Sequence, residues 1–258
     1  MTRALAVAGL FLVAAMGVAW SVQRRTGNSG WIDTIWSFSA GIACLIGLML
    51  LQAPPGRRWL LAALVATWSL RLGAHILQRT SRTVDDPRYA NLMQTWGAAA
   101  AFRLFLFLQI QALAGLVLVL CVLLAASAPQ TGFSPATLAL AGLALLALAG
   151  EALADAQMAA AKRTLPPGSL CETGLWSISR HPNYFFEWLF WLAVSGLALA
   201  PPVGWHAALA LAAPAMMYAL LRHGSGVPHL EAHLQRTRPE AFARYAARVP
   251  VFFPFTRP

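Results

Sequence analysis

Seven apolar runs dominate the chain, over residues 4–22, 36–51, 59–77, 102–126, 135–156, 185–199 and 206–221. A bilayer crossing takes about 20 apolar residues, with a range of about 17–25. Most of the runs reach that length once their flanks are counted. The expected fold is therefore all-α, a polytopic membrane protein with seven transmembrane helices. The run at 185–199 is short and closed by Pro201-Pro202. It either tilts across or dips and returns with the next run as a helical hairpin.

Composition agrees. Charged residues make up 11% of the 258, against about 25% in a soluble domain. The net charge is +10, and Lys162 is the only lysine. In a soluble protein such a balance suggests nucleic acid. Here the cations lie in loops between apolar runs, so topology and anionic ligands or lipid headgroups explain them, and no nucleic-acid partner is expected. Arg24, Arg25, Arg79, Arg82, Arg88, Lys162, Arg163 and Arg180 fall on one side, with the tail's Arg222 through Arg257. The other side has Arg57, Arg58 and the terminal Arg3. The positive-inside rule then puts the N-terminus outside and the C-terminus in the cytoplasm. The first run is followed by Arg24-Arg25 without a clear small-residue cleavage site and reads as a retained helix. One domain, 1–258, is expected. Its longer polar segments, 81–101, 162–183 and the stretch after 221, face the cytosol, so a soluble ligand would arrive from there.

The densest polar stretch runs from Ser179 to Trp188, Ser-Arg-His-Pro-Asn-Tyr-Phe-Phe-Glu-Trp, at the mouth of the sixth run. An aromatic belt accounts for Tyr184, Trp188 and Arg180. It does not account for Asn183 and Glu187, which are four apart and share a helix face. Ionisable groups in such a place mark a functional site. Pro182 disfavours helix in the residue before it, so a helix should begin just after, with Asn183 as its N-cap. Arg180 and His181 beside that terminus make an anion site. Glu151 and Asp155 share a face of the fifth run. Two like charges there call for a cation or a donor-rich ligand between them: ribose hydroxyls, an amide, or Arg180 or Arg163. In the tail, Glu231, His233, Arg236, Arg238, Arg244, Tyr245 and Arg248 precede apolar 249–255. That closing stretch should pack back on the membrane face and hold Tyr245 and Arg248 beneath the bundle.

Asp33 opens the second span between Trp31 and Trp36. It is either an N-cap or a carboxylate in an apolar pocket, able to donate a proton or orient a tyrosine. In Asp85-Asp86-Pro87-Arg88-Tyr89, Asp85 reads as part of a solvated turn. Tyr89 is a site candidate because Trp96-Gly97 and an apolar run follow. No GxGxxG after a strand, Walker loop, HExxH or paired-cysteine spacing is present, so neither a Rossmann domain nor a metal is expected.

Gly174-Leu175-Trp176, the Ser-Arg-His-Pro-Asn-Tyr run and Glu187-Trp188 resemble bacterial membrane proteins related to steroid 5α-reductases. The wider group includes the sterol C14 and C7 reductases. The likeness runs from Glu151 to the closing Arg-Val-Pro-Val-Phe-Phe-Pro-Phe, and more weakly through His75 to Thr80. It implies a seven-helix reductase in the bacterial inner membrane. NADPH would enter from the cytosol among the C-terminal helices (128–258), and a sterol-like enone from the lipid among the N-terminal ones (1–127). By motif, Asn183 and Glu187 match family cofactor contacts, and Asp155 an acidic contact. Tyr245 and Arg248 match the Tyr and Arg near the family's C-terminal end, and Glu231 is a looser match. Lys162, Arg163, Arg180, His181 and Tyr184 complete the expected cofactor set, with Glu151 standing where the family often has Asn. Ile76 occupies the place of the third-helix catalytic tyrosine, so Tyr89 or His75 would polarise the carbonyl. Asp33 is similar in placement to the family's catalytic glutamate.

The implied reaction delivers a hydride from NADPH to the β-carbon of a 3-oxo-Δ4 steroid or similar enone, with a tyrosine or protonated carboxylate stabilising the enolate. The nearest rival is an S-adenosylmethionine-dependent methyltransferase of the isoprenylcysteine or phospholipid type, which shares an Arg-His-Pro-x-Tyr helix start. There a small Gly tends to follow the Tyr, and Phe185-Phe186-Glu187 departs from that. A non-enzymatic lipid-binding or transport protein is the third reading, and inverted repeats or midplane helix breaks would support it. The expected partners are the bilayer and the lipid substrate, and the expected state is a monomer.

Overall fold

The computed structural model describes residues 1–82, 85–128, 133–166, 168–199 and 205–256, without the side chains of 205–207. The Pro201-Pro202 closure and Arg257 lie outside the described residues. Within them, the regular structure is helical: α1 Thr2–Thr26, α2 Gly30–Leu50, α3 Pro55–Thr80, α4 Pro87–Trp96, α5 Ala100–Ser127, α6 Pro135–Thr164, α7 Pro182–Ala198, α8 Ala212–His223, α9 Val227–Thr237 and α10 Pro239–Ala246. Helix α1 stops at Gly27, whose φ of +69° lets its N–H bond Gln23 O at 2.8 Å.

Five helices are long and apolar enough to cross a membrane: α1, α2, α3, α5 with the α4 segment before it, and α6. With them the chain reads as a multi-pass membrane protein. Leu10, Leu70, Ile110 and Leu146 stand exposed on these helices, apolar surface that a lipid solvent would keep from water. The last two apolar runs build differently. Helix α7 has 17 residues, starting three residues before its run. The 206–221 run divides into a 3₁₀ segment, Trp205–Leu211, and the 12-residue α8. Pro214 lacks an N–H and fits only in a helix's first turn, so the α-helix restarts two residues before it.

The chain forms two compact units that interleave in sequence: Met1–Leu138 with Val194–Ala213, and Ala139–Ala193 with Pro214–Pro258. In the first, a Cβ on Gly41 would fall 2.2 Å from Ser69 Oγ, and one on Gly73 2.6 Å from Phe38. Only glycine permits that approach of α2 to α3. Buried Arg57 donates Nε to Ala125 O at 2.5 Å and Nη2 to Leu197 O. It thereby caps terminal carbonyls of α5 and α7. Cys121 and Ser195, 3.3 Å apart, further tie residues 194–213 into this unit.

In the second unit, Ala154, Cys171 and Trp176 form a core with Met158, Ala161 and Leu175 around them. A Cβ on Gly150 would meet Phe186 at 2.6 Å, so α6 and α7 approach closely there. Phe185, Trp188, Tyr218, Phe252 and Phe253 pack edge-to-face, folding the closing stretch onto α7 and α8.

Candidate functional site

Among the described residues, both units hold polar side chains gathered by hydrogen bonds. In the first, α4 begins on an Asp-Pro start: Asp86 Oδ1 accepts from the N–H of Arg88 at 3.0 Å, and Pro87 takes the first helical position. This geometry sends Arg88 and Tyr89 toward α2. The Tyr89 hydroxyl donates to Asp33 Oδ1 at 2.8 Å, and Arg88 Nη2 donates to Asp33 Oδ2. Arg88 also grips Asp86, with Nε at 3.0 Å and Nη2 at 2.8 Å. Arg79 lies 3.4 Å from Asp86 and 3.9 Å from Asp33. Two carboxylates and two guanidinium groups thus form a neutral network. Burial acts to raise the Asp86 carboxyl, but the hydrogen bonds and charge of Arg88, with Arg79 behind them, hold it below the usual range.

Gln111 Nε2 donates to the phenol oxygen of Tyr89 at 2.8 Å, and Phe107 packs edge-on to the Tyr89 ring at 6.3 Å. Trp36 Nε1 donates to the backbone oxygen of Gln111 at 2.9 Å, pinning α5 against α2 at this level.

The structure thus brings two of the expected catalytic residues, Asp33 and Tyr89, into direct contact. It corrects their surroundings. Asp33 is not the N-cap of α2, which is Ser29, and its carboxylate is compensated by arginines, where an apolar pocket was expected. Asp85 does more than face solvent, because its Oδ1 accepts from the N–H groups of Ser29 and Asp86, both at 2.8 Å. His75 lies exposed on α3, one turn before Arg79. Sequence reasoning missed Gln111. Its signal was a second glutamine, two residues after Gln109, inside an apolar run.

In the second unit, the Gly174–Ser177 3₁₀ turn docks on α6. Trp176 Nε1 donates to Ala154 O at 2.9 Å, and the N–H of Leu175 donates to Gln157 Oε1 at 2.9 Å. Gly174 has φ +60°, and a Cβ there would lie 2.4 Å from Gln157. The next residues carry the cluster. Arg180 Nε and Nη2 reach Glu231 at 2.8 and 3.3 Å, and Nη1 donates to Val249 O at 2.7 Å and Ala246 O at 3.2 Å. Its guanidinium also covers the Phe242 ring at 5.7 Å. Four side-chain hydrogen bonds make Arg180 a clamp on the tail. His181 Nε2 lies 3.1 Å from Glu231, and its ring stacks on Tyr184 at 5.5 Å. Burial acts to raise Glu231, but His181 and Arg180 outweigh it and hold the carboxyl at about 2. Burial, then the charges of Arg180 and Arg222, push His181 down against the pull of Glu231.

Asn183 is not the N-cap: α7 starts at Pro182, favoured at a first helical position, and Asn183 is the second residue. Its Oδ1 accepts from the N–H of Tyr184 at 3.0 Å, and its Nδ2 donates to Asp155 at 3.3 Å. Glu187 is buried and accepts from Trp191 Nε1 at 3.0 Å; Glu151 is buried on α6. Lys162 and Arg163 are exposed at the end of α6. Tyr245 is buried, and its hydroxyl donates to Trp176 O at 2.6 Å; burial first of all pushes that phenol up. Arg248 departs from the expected place beneath the bundle: it is exposed and pairs with Glu172 at 2.5 Å. So Asp155 and Asn183 come together, and Arg180, His181 and Glu231 form a second knot.

Residues 19–249 match the family described as a protein of unknown function, DUF1295, and the chain belongs to that family. No curated protein and no solved structure matches it.

Proposed function

We propose that the chain is a membrane-embedded, NADPH-dependent reductase of a conjugated C=C bond in a 3-oxo-Δ4 steroid or similar enone lipid, in a bacterial inner membrane. Its seven apolar runs would complete seven spans, with the N-terminus outside and the C-terminus cytoplasmic. The observation that carries the reading is the Tyr89–Asp33 hydrogen bond, among helices apolar enough for a lipid to reach.

Reduction of an enone builds negative charge on the carbonyl oxygen, and a placed O–H donor stabilises it. The Tyr89 proton is aimed at Asp33. For the phenol to donate to a ligand oxygen it must turn from the carboxylate, and Arg88 keeps Asp33 paired when it does. The second unit suits the cofactor. The Asp155–Asn183 pair offers acceptor and donor for ribose hydroxyls or an amide, and exposed Lys162 and Arg163 suit phosphates. Arg180, committed to Glu231 and two carbonyls, holds the tail to the loop that leads into the Asn183 segment. Bound NADPH would supply the hydride.

Purified protein in detergent should oxidise NADPH when given 3-oxo-Δ4 steroids or simpler enones, and NADPH should raise its melting temperature. Stabilisation by S-adenosylmethionine in place of NADPH would turn the assignment to methyl transfer.

A further inference from the structure

A buried polar atom with no partner needs a reason, since leaving it unsatisfied costs about 1–3 kcal/mol. Gln111 Oε1 is buried and has no hydrogen-bond partner among the described residues. Turning the amide over does not repair this. Tyr89 has one proton, and Asp33, paired with Arg88, receives it. The phenol oxygen can then only accept, so the Gln111 atom facing it must be the donor, Nε2. The hydrogen-bond network itself therefore aims the orphan oxygen away from Tyr89. A leucine in this apolar run would carry no orphan oxygen, at the loss of the one hydrogen bond to Tyr89.

We propose that Gln111 Oε1 reads a hydroxyl group on the lipid ligand, close to the ligand oxygen that Tyr89 holds. This deepens, and rests on, the reading of the Asp33–Tyr89 cluster as the enone site. The orphan oxygen and the phenol belong to groups joined by one hydrogen bond, so the ligand's donor lies within a few bonds of its carbonyl. The substrate class is then a hydroxylated enone lipid of the α-hydroxy ketone kind. A hydroxyl there is matched by the acceptor, while a ligand without one leaves Oε1 unsatisfied.

The test measures binding of a 3-oxo-Δ4 steroid and its 2-hydroxy analogue to the full chain in detergent, by tryptophan quenching. The wild type should prefer the hydroxylated steroid about tenfold, the worth of one added hydrogen bond. In Gln111→Leu the ratio should fall to about one, with a melting temperature equal to or above that of the wild type. Gln111→Met, closer in shape, guards against a packing fault and should behave the same way. A preference retained in both variants overturns the inference, as does a large loss of stability in both. Equal binding of the two steroids by the wild type overturns it while leaving the enone site standing. If neither steroid binds, the reading of the site falls and the inference with it.

Discussion

Replacing Glu231 with Gln keeps the shape of the side chain and removes the charge that two buried partners share. Arg180 is 8% exposed at its side chain and His181 6%, so neither can turn to water for compensation. A carboxyl held at about 2 in place of its ordinary 4.5 is worth about 3 kcal/mol at neutral pH. Removing one partner of a buried pair costs about 3–5 kcal/mol, and the carbonyls and Phe242 that still hold Arg180 favour the lower end. In a chain of this size that is a fall of about 6–12 °C in melting temperature, read by tryptophan fluorescence in detergent. The sign follows from a depressed folded-state pKa. The stabilisation is complete above about pH 4.5, halves near about pH 3 and is lost toward about pH 2. The gap between wild type and Glu231→Gln should close over that window. A melting shift below about 2 °C at pH 7, or a gap unchanged at pH 3, would refute the assignment of Glu231 as anchor of the tail.

Asn183→Ala and Glu187→Gln should weaken NADPH binding by about ten- to a hundredfold while the protein stays folded; unchanged affinity in both reduces these residues to packing of α7 on α6. Asp33→Asn and Tyr89→Phe should each spare NADPH binding and cut enone reduction by about 10²–10³; a fully active Tyr89→Phe beside a dead His75→Ala would hand the role to the histidine. Gly174→Ala should lower stability by about 2 kcal/mol, because its left-handed φ and the nearby Gln157 both resist a Cβ; an unchanged melting curve would show the turn to be adaptable. A reporter fused after Pro258 should behave as cytoplasmic, and a periplasmic signal would reverse the proposed topology.

The long helices were legible because hydropathy acts locally: each run from 4–22 through 135–156 has its helix in the structure. The last two runs were harder to read. Hydropathy counts residues, whereas helix continuity at 206–221 turns on the missing N–H of Pro214. The pairing of Asp33 with Tyr89 spans 56 residues. Each partner could be nominated from its apolar surroundings, but not their contact, which depends on how α4 leaves its Asp-Pro start. Arg180 shows the reverse case. Its position beside a helix start suggested an anion site, and nothing local announced that Glu231 and the carbonyls of Ala246 and Val249 would claim it.

The clamp around Arg180 has a consequence for synthesis. Ser179 Oγ donates to Phe252 O across 73 residues, and the N–H of Arg180 donates to Pro250 O. The loop that presents the Asn183 segment is thus finished by Pro250 and Phe252, which are made long after it. At about 5–20 residues per second the ribosome needs about 4–15 s to travel from Ser179 to Phe252. During that interval buried groups of the second unit wait without their partners, so this half must complete its folding after its own midsection has already been inserted. A chain stopped at Arg248 would keep Glu231 beside Arg180 and His181 but lose the carbonyls of Val249, Pro250 and Phe252, leaving a membrane-anchored protein with its 179–180 loop unsecured, a natural substrate for quality control.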